Sequence, residues 1–231
     1  MKFFLKDSKN IVAIISEKKD GSMKLSGSLS AGKNRDIFLA KNEINANNIV
    51  SARMIHGSAV GVVDKKSPRV IEGVDSLVTR EKIFLAITVA DCVPVYFYDK
   101  KSSIIGLAHA GWRGVTGGVI ENTMQALIGL GGSSRDILVT LGPGIKACHF
   151  EIKADILDCF KRYPDFIFKR NDKIFVDLFG IIQTQLLVSG INSNNISVVD
   201  ECTFEKCDKY FSYRRDKPKE VEVMLAVIGL K

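Results

Sequence analysis

Histidine is scarce in this chain, three in 231 residues, and tryptophan occurs once. Cysteine is odd in number, at five, and no two cysteines form a Cys-x-x-Cys pair. That argues against a disulfide framework and a structural zinc knuckle, and predicts reduced thiols, most of them buried as small hydrophobes. Long apolar runs are also missing. The longest, residues 83–98, is broken by Asp91 and Pro94 and falls short of the roughly eighteen apolar residues of a membrane span. Met1-Lys2-Phe3-Phe4-Leu5-Lys6-Asp7 is basic and briefly apolar, much shorter than a secretory hydrophobic region. These absences predict a cytoplasmic protein with no membrane partner. No repeat, low-complexity tract or proline-rich linker divides the chain, so residues 1–231 are expected to form a single domain. The formal charge is +7, yet the lysines fall in scattered pairs such as Lys18-Lys19, Lys65-Lys66 and Lys100-Lys101, with no basic stripe or aromatic ladder. This distribution favours a small anionic molecule over nucleic acid.

What is present is a chain with 46% hydrophobic and 26% charged residues, enough for a substantial core. Short β-branched or aromatic segments bounded by turn residues predict strands at 10–17, 49–55, 59–64, 83–90, 93–98, 103–108, 136–141, 195–200 and 223–230. Val119, Ile120, Met124, Leu127 and Ile128 repeat with helical spacing and are stopped by Gly129, Gly131 and Gly132. Ile152, Ile156, Leu157 and Phe160 predict a second helix, Leu178, Ile181, Ile182, Gln185 and Leu186 a third ended by Gly190, and residues 35–44 a weaker fourth. Strands and helices do not alternate regularly. The class is therefore α/β or α+β, with mixed sheets covered by helices rather than a doubly wound nucleotide fold.

Three metal-ligating side chains occupy strand ends: His56 in Ile55-His56-Gly57-Ser58, Cys92 in Ala90-Asp91-Cys92-Val93-Pro94, and His109 in Ala108-His109-Ala110-Gly111-Trp112-Arg113-Gly114. A thiolate with two imidazoles suits zinc or copper and leaves a coordination position open. Taken singly, each has a bland alternative: a buried cysteine, a packed turn histidine. Two of only three histidines in such settings favour one shared site. Pro94 cannot donate to a central ladder and predicts a kink or interruption that aims Cys92. Gly111 and Gly114 would let backbone approach a ligand closely, and a glycine-rich strand-to-helix turn exposes N–H groups to an anion. Arg113 adds a planar fork for phosphate or carboxylate, and Asp91 would shuttle a proton or orient a metal ligand. The third histidine, His149, follows Cys148 in a turn-rich segment, and both are read as packing. Asp200-Glu201-Cys202-Thr203 and Phe211-Ser212-Tyr213-Arg214-Arg215-Asp216 form a second polar concentration, either a recognition surface through Arg214 or an ion-paired turn.

Together, Ile55-His56-Gly57, Thr88-Val89-Ala90-Asp91-Cys92-Val93-Pro94-Val95, Gly106-Leu107-Ala108-His109-Ala110-Gly111-Trp112-Arg113-Gly114 and Leu141-Gly142-Pro143-Gly144-Ile145 closely resemble the YfiH family of laccase-domain proteins, formerly called multicopper polyphenol oxidases. The resemblance runs from about residue 49 to the end and includes Cys202-Thr203 and Phe211-Ser212-Tyr213-Arg214-Arg215. It implies an α+β fold with a layered α/β/β/α arrangement of mixed sheets. It also implies a zinc site of His56, Cys92 and His109, with Cys92, His109 and Asp91 in catalysis and Arg113, Gly111, Gly114 and Arg214 facing substrate or phosphate. The implied chemistry is phosphorolysis of adenosine, inosine, guanosine or methylthioadenosine, with adenosine deamination in the same site. Copper-dependent phenol oxidation is an older assignment of the family. The chain departs from the family pattern at Leu25-Ser26-Gly27-Ser28-Leu29-Ser30, at Asn42-Glu43, where the family carries an Asn-Arg pair, and at Met54-Ile55, where it carries Gln-Val. Two rivals stand beside this reading. Full multicopper catalysis needs more histidines than three, which leaves a single Cu2+ as the copper alternative. Without a metal, Cys92 as nucleophile and His109 as base would make a hydrolase or deamidase.

Overall fold

In chain order the elements are β1 (Ile11–Ile15), α1 (Leu29–Lys41), β2 (Ile49–Arg53), β3 (Val60–Val62), β4 (Val70–Glu72), β5 (Ser76–Thr79), β6 (Phe84–Val89), β7 (Val93–Asp99), β8 (Ile104–Ala110), α2 (Trp112–Thr116), α3 (Val119–Gly129), β9 (Ile137–Leu141), β10 (Glu151–Ile152), β11 (Ile167–Arg170), β12 (Lys173–Val176), α4 (Leu178–Val188), β13 (Ile196–Val198), α5 (Tyr213–Asp216) and β14 (Met224–Leu230). The computed structural model describes residues 11–25 and 29–230. Met1–Asp7, the first residue of the strand predicted at 10–17, and Ser26, Gly27 and Ser28 lie outside the described residues.

Side chains alternate across a strand, so a strand apolar at every position must be covered on both faces. β6, β7, β8 and β14 come close to this, apolar at nearly every position, and they place two sheets back to back. The first sheet has the order β1-β14-β6-β2-β4 and the second β13-β9-β7-β8-β5-β3, each mixing parallel and antiparallel pairs. Ile15, Leu85, Ile87, Tyr96, Ile105, Leu107 and Ile228 fill the space between the sheets. Their strand neighbours face outward: Ile14, Ala86 and Val227 pack with Phe38 and Leu39 of α1, and Val95, Phe97 and Ala108 pack with Met124 of α3 and Ile182 of α4. The layers are helix, sheet, sheet, helix, the arrangement the resemblance implies. The buried Tyr96 hydroxyl joins the two sheets by donating to the Ile14 carbonyl, 3.0 Å away.

The predicted helix at 35–44 begins earlier, at Leu29, and ends at Lys41. Glu43 takes a left-handed conformation, φ 59°, and Ile44 N–H returns to the Leu39 carbonyl, a helix stop that turns Ile44 into the core. The helix predicted from Ile152 to Phe160 is a 3-10 segment, Ala154–Phe160, because Ile152 is taken by strand pairing with Ile174. Pro94 does not interrupt its strand. It lies opposite His109 within β7, where its carbonyl accepts from Gly142 N–H at 2.8 Å, and the interruption falls before it.

Candidate metal centre

β6 belongs to the first sheet and β7 to the second, with only Ala90, Asp91 and Cys92 between them. So abrupt a crossover forces Asp91 to φ 82°, a conformation rare for a residue with a side chain. The turn is tied down from three directions. Asp91 Oδ1 accepts from Thr203 Oγ1 and Oδ2 from Arg214 N–H, both at 2.7 Å, and the Asp91 carbonyl accepts from Ile145 N–H at 2.8 Å. Cys92 is thereby held at the end of the two-sheet core, half-buried.

His109 reaches this point from the second sheet and His56 from the first. β2 ends at Arg53, short of the predicted residue 55, because the next backbone donors turn onto a buried carboxylate. Asp75, fully buried, accepts from Ile55 N–H (3.1 Å), His56 N–H (3.0 Å) and Gly57 N–H (2.7 Å). These bonds hold His56 at φ 60°, a left-handed conformation costly for a non-glycine residue. Asp75 Oδ1 also lies 2.9 Å from His109 Nδ1, and the Asp75 carbonyl accepts from His109 N–H at 2.7 Å. Nε2 is left as the His109 nitrogen open to an ion, and one carboxylate fixes both histidines. The rings stand nearly perpendicular, 86°, with centroids 4.8 Å apart, and the ligand atoms of His56, Cys92 and His109 all lie within 4.8 Å of one another.

The electrostatics follow from that crowding. Burial opposes ionisation of the Cys92 thiol, but the positive charge and hydrogen bond of His109, with a further bond from His56, lower its pKa to about 6. Burial likewise opposes charge on His109, yet the Cys92 thiolate and Asp75 raise its pKa to about 10. Asp75 resists ionisation through burial as well. Its bonds to His109 and to backbone N–H groups outweigh this and hold it below the usual carboxylate range. Without a metal, these shifts favour a thiolate beside an imidazolium, anchored by a carboxylate.

Gly111 lies directly over the three donors: a Cβ there would stand 2.9 Å from Cys92 Sγ, 3.4 Å from His56 Cδ2 and 3.6 Å from His109 Cε1. A Cβ on Gly114 would meet the Gly57 carbonyl oxygen at 2.7 Å, so α2 can rest on the His56 turn only through glycine. Both glycines are required for close packing around the donors, a steric reason beside the ligand-approach role expected of them. The centre opens into a cavity of about 560 Å³ walled by Ile145, Phe150, Leu178 and Tyr213, with Arg113 and Arg214 on its rim. Arg113 stacks on Trp112, its guanidinium carbon 4.3 Å from the ring centroid. Arg214 donates to the Glu151 carbonyl and lies 5.6 Å from the Phe150 ring.

Of the site residues read from the sequence, His56, Asp91, Cys92, His109, Arg113 and Arg214 line this cavity, Gly111 adjoins the donors, and Gly114 packs against Gly57 and Val119. It is Asp75, not Asp91, that bonds the His109 ring, the Asp91 carboxylate being occupied by Thr203 and Arg214. Asp75 escaped the sequence reading; its signal is an acid between Val74 and the buried strand Ser76–Thr79. The cysteines do not follow expectation either. Only Cys202 is buried, Cys92 and Cys148 are half-buried, and Cys159 and Cys207 are exposed. Arg215 is a structural clamp that donates to the carbonyls of Thr203, Phe204 and Tyr210. Cys148 packs against the core and His149 stacks on Phe204, as expected, and the two also stand in a cluster with Cys202 and Glu205.

The chain is similar in sequence and in fold to known proteins. A family model described as multi-copper polyphenol oxidoreductase laccase matches residues 28–231. The chain is 31% identical over 170 residues to a purine nucleoside phosphorylase of Bacteroides thetaiotaomicron, covering 70% of this chain and 63% of that one. It is 28% identical over 190 residues to adenosine deaminase RL5 of an unknown prokaryotic organism, covering 74% and 71%. The crystal structure of the Bacillus licheniformis hypothetical protein YfiH superposes with a TM-score of 0.90 at 25% identity, covering 97% of this chain and 98% of that one.

Proposed function

The chain belongs to the multi-copper polyphenol oxidoreductase laccase family, and from that premise we propose that it is a cytoplasmic, zinc-dependent purine nucleoside phosphorylase. In this reading adenosine, inosine, guanosine or methylthioadenosine reacts with phosphate, and adenosine is also deaminated in the same pocket. The observation that carries it is one cavity combining a thiol and two imidazole donors, an apolar wall fit for a purine ring and two guanidinium groups fit for phosphate. The relatives named as a phosphorylase and an adenosine deaminase support both activities.

His56, Cys92 and His109 would hold the metal: the donor types suit zinc, the atoms converge, and Gly111 leaves the space above them clear. When bound, zinc supplies Lewis acidity at a position open to substrate. Asp75 keeps the His109 proton on Nδ1 and holds the His56 turn. Ile145, Phe150 and Leu178 exclude water from the base, while Arg113 and Arg214 neutralise phosphate and bring it to the anomeric carbon. In phosphorolysis a phosphate oxygen bonds to that carbon as the glycosidic C–N bond breaks and its electron pair leaves with the purine, which takes up a proton. In deamination water adds at the purine carbon bearing the amine and ammonia departs.

One observation favours a second reading: the lowered thiol pKa of Cys92 beside a charged His109 would also serve a metal-free cysteine hydrolase. A single assay separates the readings. Zinc-loaded protein is incubated with adenosine or inosine, with and without phosphate, and the products are separated by chromatography. Free base with ribose 1-phosphate, appearing only with phosphate, and inosine from adenosine are the expected results. Absence of both products, together with phenol oxidation by copper-loaded protein, would overturn the proposal; full activity after metal removal with covalent labelling of Cys92 would favour the hydrolase.

A further inference from the structure

Cys148, His149, Cys202 and Glu205 take no part in the chemistry above, yet each turns one ligand atom inward, all within 4.8 Å of one another. They come from two loops, one after β9 and one after β13, and the two cysteines are 54 residues apart. Cys148 Sγ lies 3.9 Å from Cys202 Sγ and 3.2 Å from His149 Nδ1; that nitrogen is 4.0 Å from Cys202 Sγ and 3.4 Å from Glu205 Oε1. With bonds of about 2.3 Å to sulfur and about 2.0–2.1 Å to nitrogen or oxygen, a tetrahedral zinc sets its ligands about 3.8 Å apart for S···S, about 3.5 Å for S···N and about 3.4 Å for N···O. The four separations lie within about half an ångström of those edges. A disulfide needs a sulfur separation of about 2.05 Å instead.

We propose that Cys148, His149, Cys202 and Glu205 form a second site, for a divalent cation of the zinc class, separate from the catalytic centre. Two sulfurs, an imidazole and a carboxylate complete four-coordination, so the site is closed and structural. Binding displaces two thiol protons to solvent and leaves both cysteines as thiolates. The surroundings suit such a site: Lys146 N–H points at Cys202 Sγ, 3.5 Å away, and the His149 ring stacks on Phe204 with centroids 4.3 Å apart. The absence of a Cys-x-x-Cys pair is no obstacle, since the ligands meet across two loops. Those loops also carry Ile145 and Phe150 into the cavity wall and Thr203 onto Asp91, and Thr203 N–H already bonds the Gly144 carbonyl at 3.1 Å. The cation would lock this wall in place against the first centre.

The test uses the full chain with Cys92→Ser, which removes the only thiolate of the first centre. The protein is stripped with chelator and titrated with Co2+. One equivalent of tightly bound cobalt with a thiolate-to-cobalt charge-transfer band is expected, and the band is lost in the Cys92→Ser/Cys148→Ser double variant. Glu205→Gln, an exposed change added to the Cys92→Ser chain and checked for folding by circular dichroism, weakens cobalt binding at least about tenfold. Absence of the band at saturating cobalt in the Cys92→Ser protein overturns the proposal, as does recovery of Cys148 and Cys202 as a disulfide-linked peptide pair from freshly purified protein. Because every sample lacks Cys92, the outcome is independent of nucleoside turnover.

Discussion

Asp75 meets four hydrogen-bond donors with two oxygens and no exposure to solvent, so its charge is worth more here than at the surface. Asp75→Asn keeps the shape but offers one acceptor where the His56 turn and His109 need two. A loss of about 3 kcal/mol or more is expected in denaturant unfolding, together with weaker metal binding at His56, Cys92 and His109. The pH dependence has a definite sign. A carboxyl whose folded pKa is lowered contributes stability above its ordinary value of about 3.9, lost as pH falls through the lowered folded value. Asp75→Asn should therefore remove part of the acid limb of the stability profile; an unchanged limb would show that the carboxylate is not what holds the turn. Cys92 provides a second residue-scale test. In metal-free protein its alkylation rate should rise through an apparent pKa of about 6, against the ordinary value of about 8.5, and an inflection near the latter would refute the thiolate–imidazolium pair. His109 was legible because histidine is rare here and glycines follow it, and Cys92 because it stands with Asp91 and Pro94 at the end of an apolar run. Asp75 was not: a lone acid after Gly73 reads as a turn, and its backbone partners leave no mark in the sequence.

Among the elements, α2 shows how sterics divide two neighbouring glycines. At Gly111 an added methyl group meets a thiol and two imidazole edges, all side chains, whereas at Gly114 it meets a backbone carbonyl that cannot move without its turn. Gly114→Ala should thus destabilise the whole protein by about 1–3 kcal/mol in a thermal or denaturant melt. Gly111→Ala should leave stability nearer the parent and instead reduce metal affinity, measured by competition with a chromogenic chelator. Equal stability losses at the two positions would contradict this division. The strands that stand out most in the sequence are the long, mostly apolar runs of β6, β7, β8 and β14, which have few alternatives, although the short and partly exposed β3 and β13 were read as well. β4, β10, β11 and β12 went unread: they are two to four residues long and partly exposed, so no periodicity develops. β5 was hidden for a different reason, since Asp75 and Ser76 introduce polarity that only the site explains.

At the scale of the molecule, the centre lies where the two sheets are joined. His56 follows a strand of the first sheet, His109 belongs to a strand of the second, and Cys92 sits on the crossover between them. An ion held by all three therefore ties the sheets together at one end of their shared core, a constraint the unfolded chain does not share. Binding to the folded state alone stabilises by RT ln(1 + [L]/Kd), about 2.7 kcal/mol at a hundredfold excess over Kd. For a chain of this size that corresponds to a rise of about 5–10 °C in Tm. The measurement is best made on Cys148→Ser protein, so that the second cluster adds nothing, by calorimetry with zinc and then with excess chelator. Cys92→Ser in the same background should abolish the rise. A rise that persists without Cys92 would mean that the stabilising ion sits elsewhere, and would separate His56, Cys92 and His109 from metal binding altogether.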